Sequence, residues 1–240
     1  MDFTRLFEIL EYQQHRFPQK VALAGRQNSQ WRTWDTGRLL TERDRLSAGL
    51  LEHGLRKGDH IGILAHCGSP EWAIADAAML QIGIIPVPIH ATARPDEISH
   101  IAHDTALRGC FVSNAEMGKK IATAGITLEF MFYLDSVDQP AITSSQQTSI
   151  LQWKDITCDP SPHDLDKIRY IRDGIHPDEI ATLLYTSGTT GVPKGVMLSH
   201  ANIISNVKSV LAIVPIGPFS TTVSFLPLSH IFERMVTYVY

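Results

Sequence analysis

The sequence predicts an α/β protein in which parallel-rich β-sheets are flanked by helices. Short apolar runs alternate with longer helical patterns through most of the first 134 residues, which is the order of strand–helix–strand units. Such units build parallel sheets with helices on both faces. Hydrophobic residues make up 44% of the 240-residue chain, so a sizeable core can be buried. A ligand is expected at the loops that follow the carboxyl ends of the strands.

The first 82 residues carry clear start and stop signals. Pro18 ends the first helical pattern, and Asp35 or Thr36 can cap the second helix, with Gly54 as its stop. The predicted elements are a helix within 3–17, strands at 21–25 and 31–34, a helix at 36–53, a strand at 61–65 and a helix at 71–82.

The alternation continues to the end of the chain. Pro86 and Pro88 argue that their strand lies at an edge or end of the sheet, because proline has no N–H for the ladder. Residues 135–159 are weakly periodic and polar, which predicts a surface excursion with a short amphipathic segment at 150–156. The other predicted elements are strands at 84–89, 110–112, 130–134, 180–185, 196–198 and 222–226, and helices at 95–104, 115–124, 161–172 and 201–213.

The most informative stretch is the polar loop between the strands at 180–185 and 196–198. Residues 183–200 read LLYTSGTTGVPKGVMLSH. Hydroxyls can donate hydrogen bonds, glycines let backbone N–H groups converge, and a lysine adds a compact positive charge. A polyphosphate is the ligand that uses all three at once. The residues concerned are Thr186, Ser187, Gly188, Thr189, Thr190, Gly191, Lys194 and Gly195.

This loop differs from the Walker P-loop. Pro193 precedes the lysine, Gly195 follows it, and the chain continues as a strand instead of a helix. The competing interpretation is a Ser/Thr/Gly-rich hairpin turn with a solvated lysine.

Bulk composition restricts the partners. A net charge of −4 gives no general attraction to nucleic acid or anionic lipid, so any membrane contact would be local. Residues 1–17 resemble neither a signal peptide nor a spanning helix, which predicts a cytoplasmic protein. The sequence does not determine an oligomeric state.

Cysteine and histidine usage argues against a metal site. Cys67, Cys110 and Cys158 are widely spaced with no CxxC pair, which predicts reduced thiols. His100 and His103 have helical spacing but no suitable partner set, which favours a partly solvated helix face.

Two stretches carry a family resemblance. YTSGTTGVPKGVMLSH at 185–200 closely resembles the signature loop of the acyl-adenylate-forming (AMP-binding) superfamily, and SFLPLSHIFERM at 224–235 is similar to the long-chain fatty acyl-CoA synthetase branch. The resemblance extends back to about Trp31. It implies part of the large N-terminal domain of that superfamily, with a first α/β subdomain at 1–176 and the phosphate loop and start of a second subdomain at 177–240.

The resemblance also assigns roles. It implies that Lys194 and His230 are catalytic, with His230 beside the acyl carboxylate, whereas the residues alone equally allow a strand-end histidine with local hydrogen bonds. Glu233 and Arg234 are expected to form a surface ion pair, and no metal ligand is assigned. The implied phosphate cradle is Thr186, Ser187, Gly188, Thr189, Thr190, Gly191 and Lys194.

The implied activity is that of a long-chain fatty acid–CoA ligase. Such an enzyme uses ATP and Mg²⁺ to convert a fatty acid to acyl-AMP, then uses CoA as co-substrate to form acyl-CoA. In the family, the adenine-binding segment, most magnesium ligands and a late catalytic lysine lie beyond the position of Tyr240. The 240 residues are therefore expected to be an N-terminal portion that is not competent alone. The alternatives are an acyl-AMP ligase that loads a carrier protein and a non-catalytic nucleotide- or phosphate-binding module.

Overall fold

The structure is a computed structural model that describes residues 3–27, 29–66, 69–135, 148–186 and 192–240. The strands are β1 (Leu23–Gln27), β2 (Gln30–Trp34), β3 (His60–Leu64), β4 (Ile85–Ile89), β5 (Gly109–Val112), β6 (Phe130–Tyr133), β7 (Ser149–Gln152), β8 (Ile180–Thr186) and β9 (Lys194–Ser199). The helices are α1 (Ile9–Arg16), α2 (Thr36–Glu52), α3 (Pro70–Gln81), α4 (Pro95–Asp104), α5 (Ala115–Thr123), α6 (Trp153–Ile156), α7 (Pro162–Asp173), α8 (His200–Ile213) and α9 (Ile231–Val239), and a 3-10 turn at Leu6–Glu8 precedes α1.

A five-stranded sheet with the order β4-β3-β5-β6-β7 forms the centre of the molecule, and every neighbouring pair is parallel. Alternate residues of its strands point to opposite faces. Ile61, Ile63, Phe111 and Phe132 pack with α2 and α3 on one face, whereas alternating positions such as Val112 pack with α4 and α5 on the other. Helices therefore cover both faces, which confirms the predicted fold class.

The proline-rich strand β4 lies at the sheet edge, as predicted. Pro86 and Pro88 cannot donate to a neighbouring strand. The contact with β8 is made instead by a side chain, because the Thr182 hydroxyl donates to the Pro86 carbonyl at 2.8 Å. This bond brings β8, which leads into the polar loop, against the edge of the central sheet.

Two sequence expectations are wrong. Residues 149–152 form β7, which pairs with β6, so this part of the expected surface excursion belongs to the central sheet. The short helix α6 follows at 153–156. The four-residue strand is too short to show a period. Conversely, residues 222–226 are not a strand. Val223 and Phe225 are 75% and 70% exposed. Residues with high β propensity form a strand only where a neighbouring strand pairs with them and their side chains pack, and no described strand pairs with this segment.

A third apolar cluster joins the two ends of the chain. Phe3, Leu6 and Phe7 pack against Ile203 and Ile204 of α8. Side chains from α9, including Met235 and Tyr238, pack onto the same cluster. The N-terminal segment is thereby held against the helices that follow the polar loop.

Candidate functional site

Strands β8 and β9 form an antiparallel hairpin whose last ladder pair places Thr186 directly opposite Lys194. Directly opposed residues in such a ladder have Cα atoms about 4.5–5.5 Å apart. Both side chains are exposed. Among the described residues, no acidic side chain is recorded in an ion pair with Lys194. The two side chains therefore project from the same face of the hairpin, at the end that leads to residues 187–191.

The remaining predicted cradle residues lie outside the part of the chain that the structure describes. They are Ser187, Gly188, Thr189, Thr190 and Gly191. Their role in holding phosphate stays a prediction, and the structure places only the two ends of the loop, Thr186 and Lys194.

Helix α4 contacts both arms of the hairpin. On one arm, the Tyr185 hydroxyl donates to the Asp104 carboxylate. Burial raises the pKa of Tyr185, and the hydrogen bond to the Asp104 carboxylate raises it further, so the phenol stays protonated at neutral pH. On the other arm, the His100 Nε2–H donates to the Pro193 carbonyl at 3.0 Å. The His100 and Tyr185 rings also meet edge to face, with centroids 6.3 Å apart.

Gly195 allows the close approach of the two arms. It is the ladder partner of Tyr185, and a Cβ atom at this position would lie 3.0 Å from the tyrosine ring. The glycine of this motif therefore has a packing role on β9 in addition to any role in the loop.

His230 is the N-cap of α9 and is not on a strand. Its Nδ1 accepts a hydrogen bond from the Phe232 N–H at 3.2 Å. In the neutral ring this leaves the proton on Nε2, which can serve as a donor. The side chain is exposed, so this nitrogen can meet a ligand. The predicted place beside an acyl carboxylate stays a prediction.

The expected surface ion pair of Glu233 and Arg234 is wrong. Adjacent helix positions do not face each other. Arg234 is fully buried and forms an ion pair with the Asp76 carboxylate of α3, while Glu233 is only 3% exposed. Burial lowers the pKa of Arg234, but the Asp76 charge and the interactions with Tyr238 together outweigh burial, and the net shift is upward.

Arg234 also binds β8. Its Nη1 donates to the Thr182 hydroxyl at 2.7 Å, and its Nε donates to the Tyr238 hydroxyl at 2.8 Å. Thr182 lies four residues before Thr186 on the same strand, a distance of about 13 Å along β8. The helix capped by His230 and the polar loop are thus anchored on one strand, although no described contact joins His230 to Lys194.

Sequence reasoning missed the contacts of Asp76, Asp104 and Thr182, and it placed His100 only on a partly solvated helix face. Asp76 offered a signal, because it is a charged residue within the otherwise apolar pattern of α3. The other three have no local signature. His100 and Asp104 become recognisable only when the fold brings α4 beside the hairpin.

The described residues contain no group of three or more His, Cys, Asp and Glu side chains that could hold a metal ion. Magnesium ligands are therefore not assigned within this part of the chain.

The two described cysteines are free thiols. Cys110 is buried and Cys158 is half-buried, and burial raises the pKa of Cys110 to about 12. Cys67 lies outside the described residues. In the same ranges, none of the helices has the length and apolar character needed to span a bilayer.

Comparison with known sequences gives a consistent set of relatives. The sequence model of a family described as AMP-binding enzyme matches residues 10–240. The peroxisomal Long chain acyl-CoA synthetase 7 of Arabidopsis thaliana is 30% identical over 85% of this chain and 29% of its own length. Fatty acyl-CoA synthetase A of Dictyostelium discoideum is 30% identical over 80% of this chain and 28% of its own. The chain thus spans under a third of the length of these relatives.

Solved structures agree on the fold. A long-chain-fatty-acid CoA ligase from Rhodopseudomonas palustris covers 98% of this chain and 55% of its own, with a TM-score of 0.77 and 19% identity. A fatty acid AMP ligase from Legionella pneumophila covers 99% of this chain and 38% of its own, with a TM-score of 0.72 and 20% identity. At such identities the likeness concerns the fold alone.

Proposed function

Because this chain belongs to the AMP-binding enzyme family, we propose that it supplies the ATP phosphate loop of a ligase that activates a fatty acid. The fatty acid carboxylate attacks the α-phosphate of ATP, forming acyl-AMP and releasing pyrophosphate. The thiol of CoA then attacks the acyl carbon, forming acyl-CoA and releasing AMP. The fatty acid assignment rests on the relatives named as acyl-CoA synthetases.

The observation that carries this proposal is the pairing of Thr186 with Lys194 at the mouth of the hairpin. A hydroxyl and an ammonium group on opposed strands can bind adjacent oxygens of one polyphosphate. Lys194 offsets negative charge on the β- and γ-phosphates and on the departing pyrophosphate. The loop residues 187–191 between them complete the cradle with hydroxyls and backbone N–H groups.

His230 has a separate role in this proposal. Its exposed ring, held at the start of α9 by the Phe232 N–H, donates from Nε2 to the carboxylate of the fatty acid. The magnesium that the family uses supplies charge neutralisation at the phosphates when bound. We assign it no ligand among the described residues.

We further propose that the 240 residues do not complete the reaction alone. They span under a third of the length of the two acyl-CoA synthetases named above, and no adenine- or ribose-binding residue is assigned in them. Transfer of the acyl group to a carrier protein instead of CoA is the alternative within the same chemistry. The cytoplasmic location also stays a prediction, since one of the cited relatives is named as peroxisomal.

The test is binding of inorganic pyrophosphate to the chain, followed by NMR shifts of the Thr186 and Gly195 amides. Lys194→Ala should weaken binding at least about tenfold, because a charge-assisted hydrogen bond contributes about 1.5–3 kcal/mol. Lys20→Ala, another exposed lysine, serves as the matched control and should bind as the parent does. Unchanged affinity in Lys194→Ala would remove the cradle assignment. Fatty-acid-dependent ATP–pyrophosphate exchange by the chain alone would overturn the claim that it is not competent.

A further inference from the structure

Helix α4 holds the polar loop from outside. It contacts Tyr185, which immediately precedes Thr186, and Pro193, which immediately precedes Lys194. Tyr185 lies on β8, one position before Thr186, whereas Pro193 lies just outside β9, on the loop side of Lys194. The two contacting side chains, His100 and Asp104, lie 93 and 81 residues before the residues they contact.

The hairpin needs an external anchor for a physical reason. A two-stranded antiparallel hairpin is marginally stable by itself in water. Arms that become ordered only when a ligand binds lose conformational freedom, and that loss weakens binding. Contacts that fix the arms beforehand reduce this cost.

The contacts from α4 constrain each arm differently. The Asp104 carboxylate holds the Tyr185 ring, which lies against Gly195 on the opposite strand, so this one contact bears on both arms. His100 holds the Pro193 carbonyl, and the ring of Pro193 already fixes its φ angle. The peptide that leads into Lys194 is thereby restricted on both sides.

We propose that Asp104 and His100 are positioning residues for the phosphate loop. They act through Tyr185 and Pro193, holding Thr186 and Lys194 in the arrangement that a polyphosphate requires. Neither residue belongs to the loop motif. This inference rests on the proposed function, because it specifies how the same loop is prepared for its ligand.

The charge of Asp104 allows a positioning role to be distinguished from a purely electrostatic one, because the two predict opposite changes in phosphate affinity. Asp104 is an exposed carboxylate close to a site for anions, so its electrostatic effect alone opposes phosphate binding. A role limited to charge predicts that removing the carboxylate strengthens binding. A positioning role predicts that Asp104→Ala weakens it, whereas Asp104→Asn, which keeps an oxygen acceptor for the tyrosine hydroxyl, preserves or improves it.

The experiment is titration of the 240-residue chain with inorganic pyrophosphate, read from the Thr186 and Gly195 amide shifts. Asp104→Ala and His100→Ala should each weaken binding about 3- to 10-fold, the range expected for one lost hydrogen bond. Asp104→Asn should bind at least as tightly as the parent, and His100→Gln should restore most of the affinity. Asp96→Ala, on the same helix and exposed, is the matched control and should leave the affinity unchanged.

A double variant tests whether Asp104 acts through the tyrosine. Tyr185→Phe should weaken binding as Asp104→Ala does, and combining the two should add little, because both remove the same bond. Thermal unfolding of each variant is measured in parallel. The midpoints should stay close to that of the parent, since the Tyr185–Asp104 bond is exposed and the His100–Pro193 bond is only partly buried.

The outcomes separate this inference from the proposed function. If Lys194→Ala loses binding while Asp104→Ala and His100→Ala bind as the parent or more tightly, the positioning role is wrong and the phosphate loop stands. If affinity falls only in variants whose unfolding midpoint also falls, α4 merely supports the fold and the inference is overturned. If the parent chain shows no pyrophosphate binding, or Lys194→Ala changes nothing, both proposals fail together.

Discussion

At the scale of single residues, His200 shows how burial changes the chemistry of a side chain. It is the first residue of α8 and is only 2% exposed. Its Nδ1 accepts a hydrogen bond from the Leu6 N–H at 3.2 Å, and its ring meets Phe7 edge to face. Burial, assisted by the Arg5 charge, lowers the pKa of His200 from 6.5 to about 4. The histidine is therefore neutral in the folded protein at neutral pH.

This pKa predicts a loss of stability in acid. Between pH 6.5 and 4 the unfolded chain binds a proton at His200 that the folded chain does not, so the free energy of unfolding falls as pH falls through that window. Two to three pKa units correspond to about 3 kcal/mol. Urea unfolding at several pH values measures it.

His200→Asn is the control, since its amide oxygen can accept the Leu6 N–H without titrating. The variant should lack the extra loss between pH 6.5 and 4. An identical pH dependence in both proteins would show that His200 does not contribute it.

At the scale of elements, the orientation of α9 is set by buried polar contacts. Arg234 joins this helix to Asp76 of α3 and to Thr182 of β8. The Tyr238 hydroxyl donates to the same Asp76 carboxylate. Each of the three guanidinium nitrogens of Arg234 donates to an acceptor in this group, which lets a charged pair remain in the core.

Breaking this pair should be costly. Arg234→Met leaves the Asp76 carboxylate buried without its partner, and we expect unfolding free energy to fall by about 3–5 kcal/mol. Arg169→Met removes an exposed ion pair with Asp166 and should change stability by less than about 1 kcal/mol. Denaturant titration compares the two.

A double replacement, Arg234→Met with Asp76→Leu, removes both charges at once. It should be less destabilising than Arg234→Met alone, because no uncompensated charge stays buried. A double variant that is as unstable as the single one would show that packing, not charge, accounts for the loss.

At the scale of the whole molecule, the predicted division at residues 176 and 177 crosses a shared core. The cluster around Phe3, Leu6 and Phe7 includes Ile203 and Ile204 from the other side of that boundary. Two segments that share a buried cluster lose it together when either one unfolds. The subdomain boundary itself stays a prediction.

Because the two segments share this apolar cluster, we expect them to unfold in one cooperative transition. All four tryptophans precede residue 177, so their fluorescence follows the first segment, while amide exchange in α8 follows the second. Phe7→Ala should lower the free energy of unfolding by about 3–5 kcal/mol by both probes. Phe219→Ala, at a side chain that is 97% exposed, should change it by less than about 0.5 kcal/mol. A shift in fluorescence without a shift in α8 exchange would show that the two segments unfold independently.

Motifs that are contiguous in the sequence could be predicted, whereas contacts between segments far apart in the chain could not. The sequence predicted a polar loop between two strands that contains Thr186 and Lys194, and the structure places these two residues at the ends of those strands. The family resemblance carried by this loop is confirmed by the match over residues 10–240. Arg234 was assigned to the surface because charged residues usually lie there. Strand β7 was missed because four residues carry no period, and its pairing with β6 depends on the rest of the sheet.

The sequence by itself determined the fold class and the family, whereas the phosphate chemistry of the loop stays a prediction. Apolar periodicity and contiguous motifs are local properties, so they can be read without knowing which segments meet. Only the tertiary structure decided that the Asp76 carboxylate accepts a hydrogen bond from Arg234 and that the Asp104 carboxylate accepts one from Tyr185. The physical reason is that the partner of a polar side chain depends on which distant groups are buried beside it, and that choice is made when the helices and strands pack.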